Sequence, residues 1–179
     1  MNNIMMNKTT IAMVILAGSA FASVAQAADG TINFTGNITD AACTVSAGTK
    51  TQTVNLGTIS ASSFDAAGAV SGASRFNVTL ESCPASAATA SVVFDGQADT
   101  ANSTLLALTP GTGVATGVGV GIYEEDSVTQ LPVSIRSASK ALSTTAPTTF
   151  TYVAKYMATA ATVQAGTANA VSDFTISYN

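Results

Sequence analysis

Hydrophobic and polar residues alternate with a period of two along most of the chain, and this pattern predicts β-strands. Helical periodicity is weak after the first 27 residues. Because alternation gives a strand one buried face and one solvent face, we expect an all-β sandwich of short antiparallel strands. The apolar positions fall into five runs: Phe76, Val78 and Leu80; Ala90, Val92 and Phe94; Val118, Val120 and Ile122; Phe150, Tyr152, Ala154 and Tyr156; Phe174, Ile176 and Tyr178.

Turn signals separate these runs. The pairs Ala67-Gly68, Asp95-Gly96 and Pro110-Gly111 are typical of turns, and we expect a loop over residues 65–74. One more alternating segment precedes the first cysteine and predicts a strand with no hairpin partner beside it. Its inward positions are Ile32, Phe34, Gly36 and Ile38.

The first 27 residues have the features of an export signal. Lys8 supplies a positive charge, residues 11–17 form a short apolar core, and Ala25-Gln26-Ala27 is a small-residue cleavage site. Cleavage after Ala22 is the alternative. No stretch after Ala27 approaches the roughly 20 apolar residues that a membrane-spanning helix needs, so we expect no direct membrane insertion.

Charge is sparse in this chain, since only 9% of its residues are Asp, Glu, Lys or Arg. Removal of Lys8 with the signal leaves five of the six basic residues against ten acidic ones. This balance argues against nucleic acid as a partner, because phosphate binding requires clustered Lys and Arg. So few charges would suit a surface that is largely covered by other copies of the chain.

Cys43 and Cys83 are the two cysteines of the chain. An exported protein meets an oxidising compartment, so we expect one disulfide that closes a loop of about 40 residues and contributes roughly 4 kcal/mol. A metal or redox pair is the rival interpretation. It is disfavoured because the chain has no histidine and no second ligand pair. We expect no cofactor.

Four strings resemble the type 1 fimbrial major subunits of the chaperone-usher class. They are GTINFTGNITDAAC from Gly30 to Cys43, VNLGTIS from Val54, FNVTLESCP from Phe76, and the ending FTISYN. Gly166 is the fourteenth residue from the end and Tyr178 is the penultimate one, as in the C-terminal pattern of that family. The resemblance covers essentially the whole chain after the signal.

The resemblance implies an incomplete immunoglobulin-like β-sandwich that lacks its final strand. A periplasmic chaperone would first fill the open groove with one of its own strands, and the next subunit would then replace that strand with its N-terminal extension. The implied parts are a signal peptide at 1–27, a donor-strand extension at 28–42 and a pilin domain at 43–179. Donor residues would be Ile32, Phe34, Gly36 and Ile38; acceptor residues would be Gly166, Phe174, Ile176, Tyr178 and Asn179.

The implied function is that of a structural subunit of a bacterial surface fimbria that supports cell adhesion. Its partners would be neighbouring subunits, the chaperone, whose basic residues would bind the Asn179 carboxylate, and an outer-membrane usher. A minor or tip subunit that binds a host glycan is the alternative, although 152 residues leave no room for an added lectin domain. Residues 30–38 could also be an ordinary strand paired within its own domain.

Other chemistry has weaker support. Glu124, Glu125 and Asp126 could suggest calcium, but a calcium loop needs further oxygen ligands, and a solvated hairpin turn is the simpler interpretation. The glycine-rich stretch 111–121 lacks phosphate-loop spacing and is expected to be a loop that runs into a strand. Without histidine, only a lysine could activate a nucleophile, and none lies in a recognisable motif. Paired carboxylates for glycoside hydrolysis stay open, but we expect no enzyme.

Overall fold

The structure is a computed structural model that describes residues 30–36, 38 and 42–179. The predicted signal peptide and both predicted cleavage sites lie outside the described residues. The chain divides into two compact units, Met1–Ile38 and Thr39–Asn179. In the first unit, residues 30–36 and 38 form no strand, and the side chains of Ile32, Phe34 and Ile38 are 78%, 92% and 103% exposed. Their alternating pattern is therefore not expressed as a strand in the single chain.

The second unit is a sandwich of two antiparallel sheets. Its elements, in chain order, are β1 Thr44–Val45, α1 Ala47–Lys50, the 3-10 turn Ala61–Ser63, β2 Val70–Glu81, β3 Thr89–Asp95, β4 Val118–Glu124, β5 Gln130–Leu131, β6 Lys140–Ala141, β7 Thr148–Ala158 and β8 Asp173–Tyr178. The first sheet has the order β1-β2-β7-β4-β5 and the second has the order β6-β3-β8.

All five predicted strands are confirmed, and their alternating apolar residues face the space between the sheets. Val78 and Leu80 of β2 and Val92 of β3 are completely buried, and Tyr152 of β7 is 1% exposed. The Tyr152 hydroxyl donates to Oγ of Ser137 at 3.1 Å, and this bond ties β7 to the chain that flanks β3. Burial of this face is the main stabilising term, as the alternation predicted.

The prediction of a loop over residues 65–74 is wrong at its C-terminal end, because β2 already begins at Val70. Val70 pairs with Met157 of β7, and the register shifts between Ser71 and Ser74. Gly72 lies in this irregularity with a φ of 73°. A glycine inside a strand often marks a bulge. Here it interrupts the alternation of apolar and polar residues that would have predicted the first residues of the strand.

Two of the four sheet edges are covered. The outer edge of β4 pairs with β5 and, through an isolated bridge from Val120 to Leu106, with the preceding loop. The edge of β3 that faces away from β8 pairs with β6 and accepts hydrogen bonds from the Ser134 and Ser137 N–H groups. Coverage of this kind protects an edge from pairing with other chains. The edges of β8 and β2 are different, and they form the candidate site.

Within the described part of the chain, no helix has the length and apolar character needed to span a membrane.

Candidate functional site: the open side of the sandwich

The main chain of β8 has hydrogen-bonding groups along its outer edge. Thr89 and Asn179 exchange both possible main-chain bonds, at 3.2 and 3.0 Å. Such pairs alternate with non-bonded pairs in an antiparallel ladder, so every second residue of β8 bonds to β3. The N–H and C=O groups of Phe174, Ile176 and Tyr178 therefore point away from β3. In the described part of the chain, no strand pairs with this edge of β8.

The apolar side chains of β8 are incompletely covered. Phe174, Ile176 and Tyr178 are half-buried. Their cross-strand partners on β3 are far better shielded, with Ala90 and Val92 at 0% exposure and Phe94 at 5%. The core thus extends to β8 but is not closed over it. A strand with free main-chain groups and half-covered apolar side chains is suited to binding another strand.

The edge of β2 is covered only in part. β1 pairs with β2 only at Glu81 and Leu80. Beyond that point an extended segment, residues 52–59, follows β2 without joining its ladder. Gln52 donates from Nε2 to the Asn77 carbonyl at 2.8 Å, and the Ile59 side chain lies 3.0 Å from where a Cβ on Gly72 would be. No main-chain group of residues 52–59 is bonded to another main-chain group of the described residues.

These two edges lie on the same side of the sandwich. The ring centroid of Phe94 in β3 lies 5.7 Å from that of Phe76 in β2 and 6.5 Å from that of Phe174 in β8. The Cys43–Cys83 disulfide joins the residue before β1 to the chain that follows β2, as the cysteine count predicted. We call the surface between β8, β2 and segment 52–59 the open side.

Tyr178 marks the end of the open side at which the sandwich domain starts. Burial raises the pKa of its hydroxyl, and a hydrogen bond from the main chain of Cys43 acts in the opposite direction. The last residue of β8 therefore lies beside Cys43, which immediately precedes β1.

The predicted acceptor residues are only partly brought together. Phe174, Ile176 and Tyr178 line the open side, and Asn179 continues their ladder through its bonds to Thr89. Gly166 lies apart from β8. A Cβ at Gly166 would clash with the main-chain nitrogen of Ala115 and the carbonyl oxygen of Gly113, two residues that precede β4. The predicted donor residues belong to the other unit.

Sequence reasoning missed part of the site. Val54 and Leu56 of segment 52–59 and Phe76 of β2 are half-buried apolar residues that pack against the same core as β8. The alternation of Val54 and Leu56 was a signal for this role, but two positions are too few to separate a groove wall from an ordinary strand.

The acidic triplet forms a hairpin turn between β4 and β5, which was the simpler prediction. The Asp126 carboxylate accepts from the side chain of Thr129 at 2.6 Å and from the N–H groups of Val128 and Thr129 at 2.8 Å. These bonds, the Thr129 hydroxyl first, lower the pKa of Asp126. In the described ranges no three Cys, Asp or Glu residues are grouped as a metal site would require.

Comparison with known proteins gives one consistent family. A sequence profile described as fimbrial protein matches residues 32–179. Long polar fimbria protein A of Salmonella typhimurium is 39% identical over 168 residues, which cover 93% of this chain and 92% of that protein. Probable major fimbrial subunit LpfA of Escherichia coli O157:H7 is 38% identical over 177 residues, 97% of each.

One solved structure extends the likeness to three dimensions. The crystal structure of a Burkholderia pseudomallei antigen and type I fimbria protein superimposes with a TM-score of 0.60 at 34% identity, over 83% of this chain and 97% of that chain. The two-sheet arrangement described above is therefore shared with a fimbrial protein.

Proposed function

The chain belongs to the fimbrial protein family and is a structural subunit of bacterial surface fimbriae, and we propose that it polymerises by strand addition at the open side. In this mechanism, residues 30–38 of one copy lie along β8 of another. The observation that supports it is the outward direction of the Phe174, Ile176 and Tyr178 main-chain groups. An incoming strand would satisfy these groups along its whole length.

The extension has the pattern that such a strand needs. Ile32, Phe34 and Ile38 are strongly exposed in the single chain and would share one face of the segment once it forms a strand. Each contributes roughly 1.5 to 3 kcal/mol when buried, so the three contribute about 5 to 9 kcal/mol before ordering costs. Gly36 would lie where a close approach of two main chains leaves no space for a side chain.

The direction of the added strand follows from the need to form an open fibre. Each copy's extension leaves its domain beside Tyr178, because that is where Cys43 lies. A donor parallel to β8 would bring the Cys43 ends of two copies together, an arrangement that closes as a two-fold pair. A donor antiparallel to β8 places the next body at the opposite end. Ile38 then lies near Phe174, Ile32 lies near Tyr178, and the chain of copies continues.

The remaining elements of this proposal concern export and assembly. Residues 1–27 would be removed on export, residues 28–42 would be the donor extension and 43–179 the pilin domain. A periplasmic chaperone would shield the open side until an outer-membrane usher brings the next copy, because half-covered apolar strands at an open edge promote aggregation. A host-glycan-binding tip subunit is less well supported, since the relatives described above include a probable major subunit.

Deletion of the donor tests the proposal. Fibres of the unaltered chain should give a ladder of multimers in SDS without boiling, and the ladder should collapse on heating. Removal of residues 28–38 should abolish the ladder while a soluble chaperone-bound subunit persists, because the open side remains and only the donor is lost. Fibres that survive the deletion would show that the donor is assigned to the wrong segment.

A further inference from the structure

The sandwich has an outer end beyond the start of β8, opposite the end that holds Cys43. We define the distal face by four exposed residues at this end: Asp65, Val70, Val171 and Asp173. We propose that the distal face is the docking surface for the body of the next copy in the fibre, and that it receives the end of that copy carrying Lys50. This inference rests on the proposed function, because the direction of the donor strand decides which two ends meet.

The short segment between the donor residues and the sandwich limits how far apart two consecutive copies can lie. Ile38 and Cys43 are separated by four residues. At about 3.3 to 3.6 Å per residue, a fully extended chain covers at most roughly 18 Å between them. An antiparallel donor places Ile38 near the Phe174 end of the open side. The next copy's Cys43, and with it the start of its sandwich, must therefore lie within roughly 18 Å of Ile38 at the acceptor's distal end.

The distal face has the apolar character of a contact surface. The Val171 side chain is 70% exposed and that of Val70 is 45% exposed. Ala69, the neighbour of Val70, packs against a second core formed by Phe64, Ala115, Val118 and Ala158. Two exposed valines at one end of the sandwich suit contact with another protein surface better than isolation in water.

The charge of the distal face is of one sign. Stretches 56–72, 95–121 and 157–174 make up this end of the sandwich and contain no Lys or Arg. Asp65 and Asp173 are exposed, and Asp173 lies directly opposite Asp95 in the ladder between β8 and β3. Like charges at directly opposed positions destabilise a sheet. A cation supplied by a neighbour would relieve this repulsion.

The opposite end of the molecule offers such a cation. Lys50 is the last residue of α1 and is exposed. The Thr49 hydroxyl, which accepts from the Thr79 N–H at 3.1 Å, holds α1 against β2 close to Cys43. Glu81, an acidic side chain at this end, is half-buried. In the proposed fibre, Lys50 of each copy therefore lies at the end that faces the distal face of the copy accepting its donor strand.

A charge-reversal cycle on assembled fibres tests the contact. Lys50→Glu and Asp173→Lys should each make fibres release subunits in urea faster, by roughly 2- to 10-fold at low salt, because an attraction becomes a repulsion. The double variant should recover most of the original rate. Added salt should shrink the differences, since exposed charges are screened over about 10 Å at 0.1 M.

Arg136→Glu is the matched control. It makes the same charge change as Lys50→Glu on an exposed residue beside the β4–β5 hairpin that is not one of the four residues of the distal face, and it should leave the release rate unchanged. Single variants that match the unaltered fibre, or a double variant no better than the singles, would overturn the docking surface while the ladder still supported strand addition. Loss of the proposed function itself would appear separately, as fibres that form without residues 28–38.

Discussion

At the scale of single residues, Gly166 shows how a position can be required without forming part of the site. Resemblance grouped it with the acceptor strand, yet its surroundings are the main chains of Gly113 and Ala115. Its φ is not positive, so the requirement for glycine is one of space and not of backbone conformation. The adjacent Thr167 forms an isolated parallel β-bridge with Val114. Gly166 thereby allows the chain that leads into β8 to cross another loop closely.

Gly166→Ala should destabilise the domain by about 1 to 3 kcal/mol, because the added methyl meets main-chain atoms that cannot rotate away. Thermal unfolding of the purified protein measures this loss. Gly111→Ala is the control, since its Cβ would meet only a Val114 methyl at an ordinary 3.6 Å. Equal stabilities for the two variants would contradict the close approach at Gly166.

At the scale of elements, β8 has two different edges. Thr175 bonds to β3 with its main chain, while Ile176 points its N–H and C=O outward. Proline removes an N–H and is tolerated on an edge strand where that group faces away from the ladder. Proline substitutions at these two neighbouring positions can therefore distinguish the folding of the sheet from the addition of a strand.

Ile176→Pro should leave a folded, chaperone-bindable subunit that assembles poorly, whereas Thr175→Pro should prevent stable folding. Circular dichroism of the purified subunit and the SDS ladder provide the two measurements. Ile176→Ala is the companion variant, because it removes the apolar side chain and keeps the N–H. If Ile176→Pro assembled as well as Ile176→Ala, the outward main-chain groups would not be the binding edge.

At the scale of the whole molecule, a buried pair of hydroxyl groups links β7 to the chain that flanks β3. Ser137 Oγ accepts from the Tyr152 hydroxyl at 3.1 Å and from the Val92 N–H at 2.9 Å, and it donates to the Ala138 carbonyl at 3.2 Å. Burial raises the pKa of Tyr152 to about 12, although the bond with Ser137 lowers it in part. The neutral hydroxyl is thus the form that the fold requires.

Stability should consequently fall at alkaline pH. Below about pH 10 Tyr152 is protonated whether the chain is folded or unfolded. Between about pH 10 and 12 the unfolded chain loses the proton first, so the free energy of unfolding decreases by roughly 1 to 3 kcal/mol. Urea unfolding at a series of pH values measures this slope. Tyr152→Phe should remove most of it and Tyr156→Phe much less; an unchanged slope in Tyr152→Phe would refute the assignment.

The sequence by itself determined the strands, the disulfide and the fold class. The five apolar runs lie in strands, and Cys43 pairs with Cys83. Local pattern suffices here, because a period of two specifies a strand with one buried face, and a chain with two cysteines has one possible intramolecular pairing. The early start of β2 escaped, because Gly72 interrupts the period at a bulge.

Only the tertiary structure decided which edges stay open. Nothing in the residues of β8 distinguishes it from β3, since both alternate in the same way; the difference is that β3 has neighbours on both sides and β8 on one. Edge status is a property of sheet order, which depends on contacts between residues far apart in sequence. For the same reason, only the placement of the strands side by side showed that Val54 and Leu56 pack against the core beside β8 and that the like charges of Asp95 and Asp173 face each other.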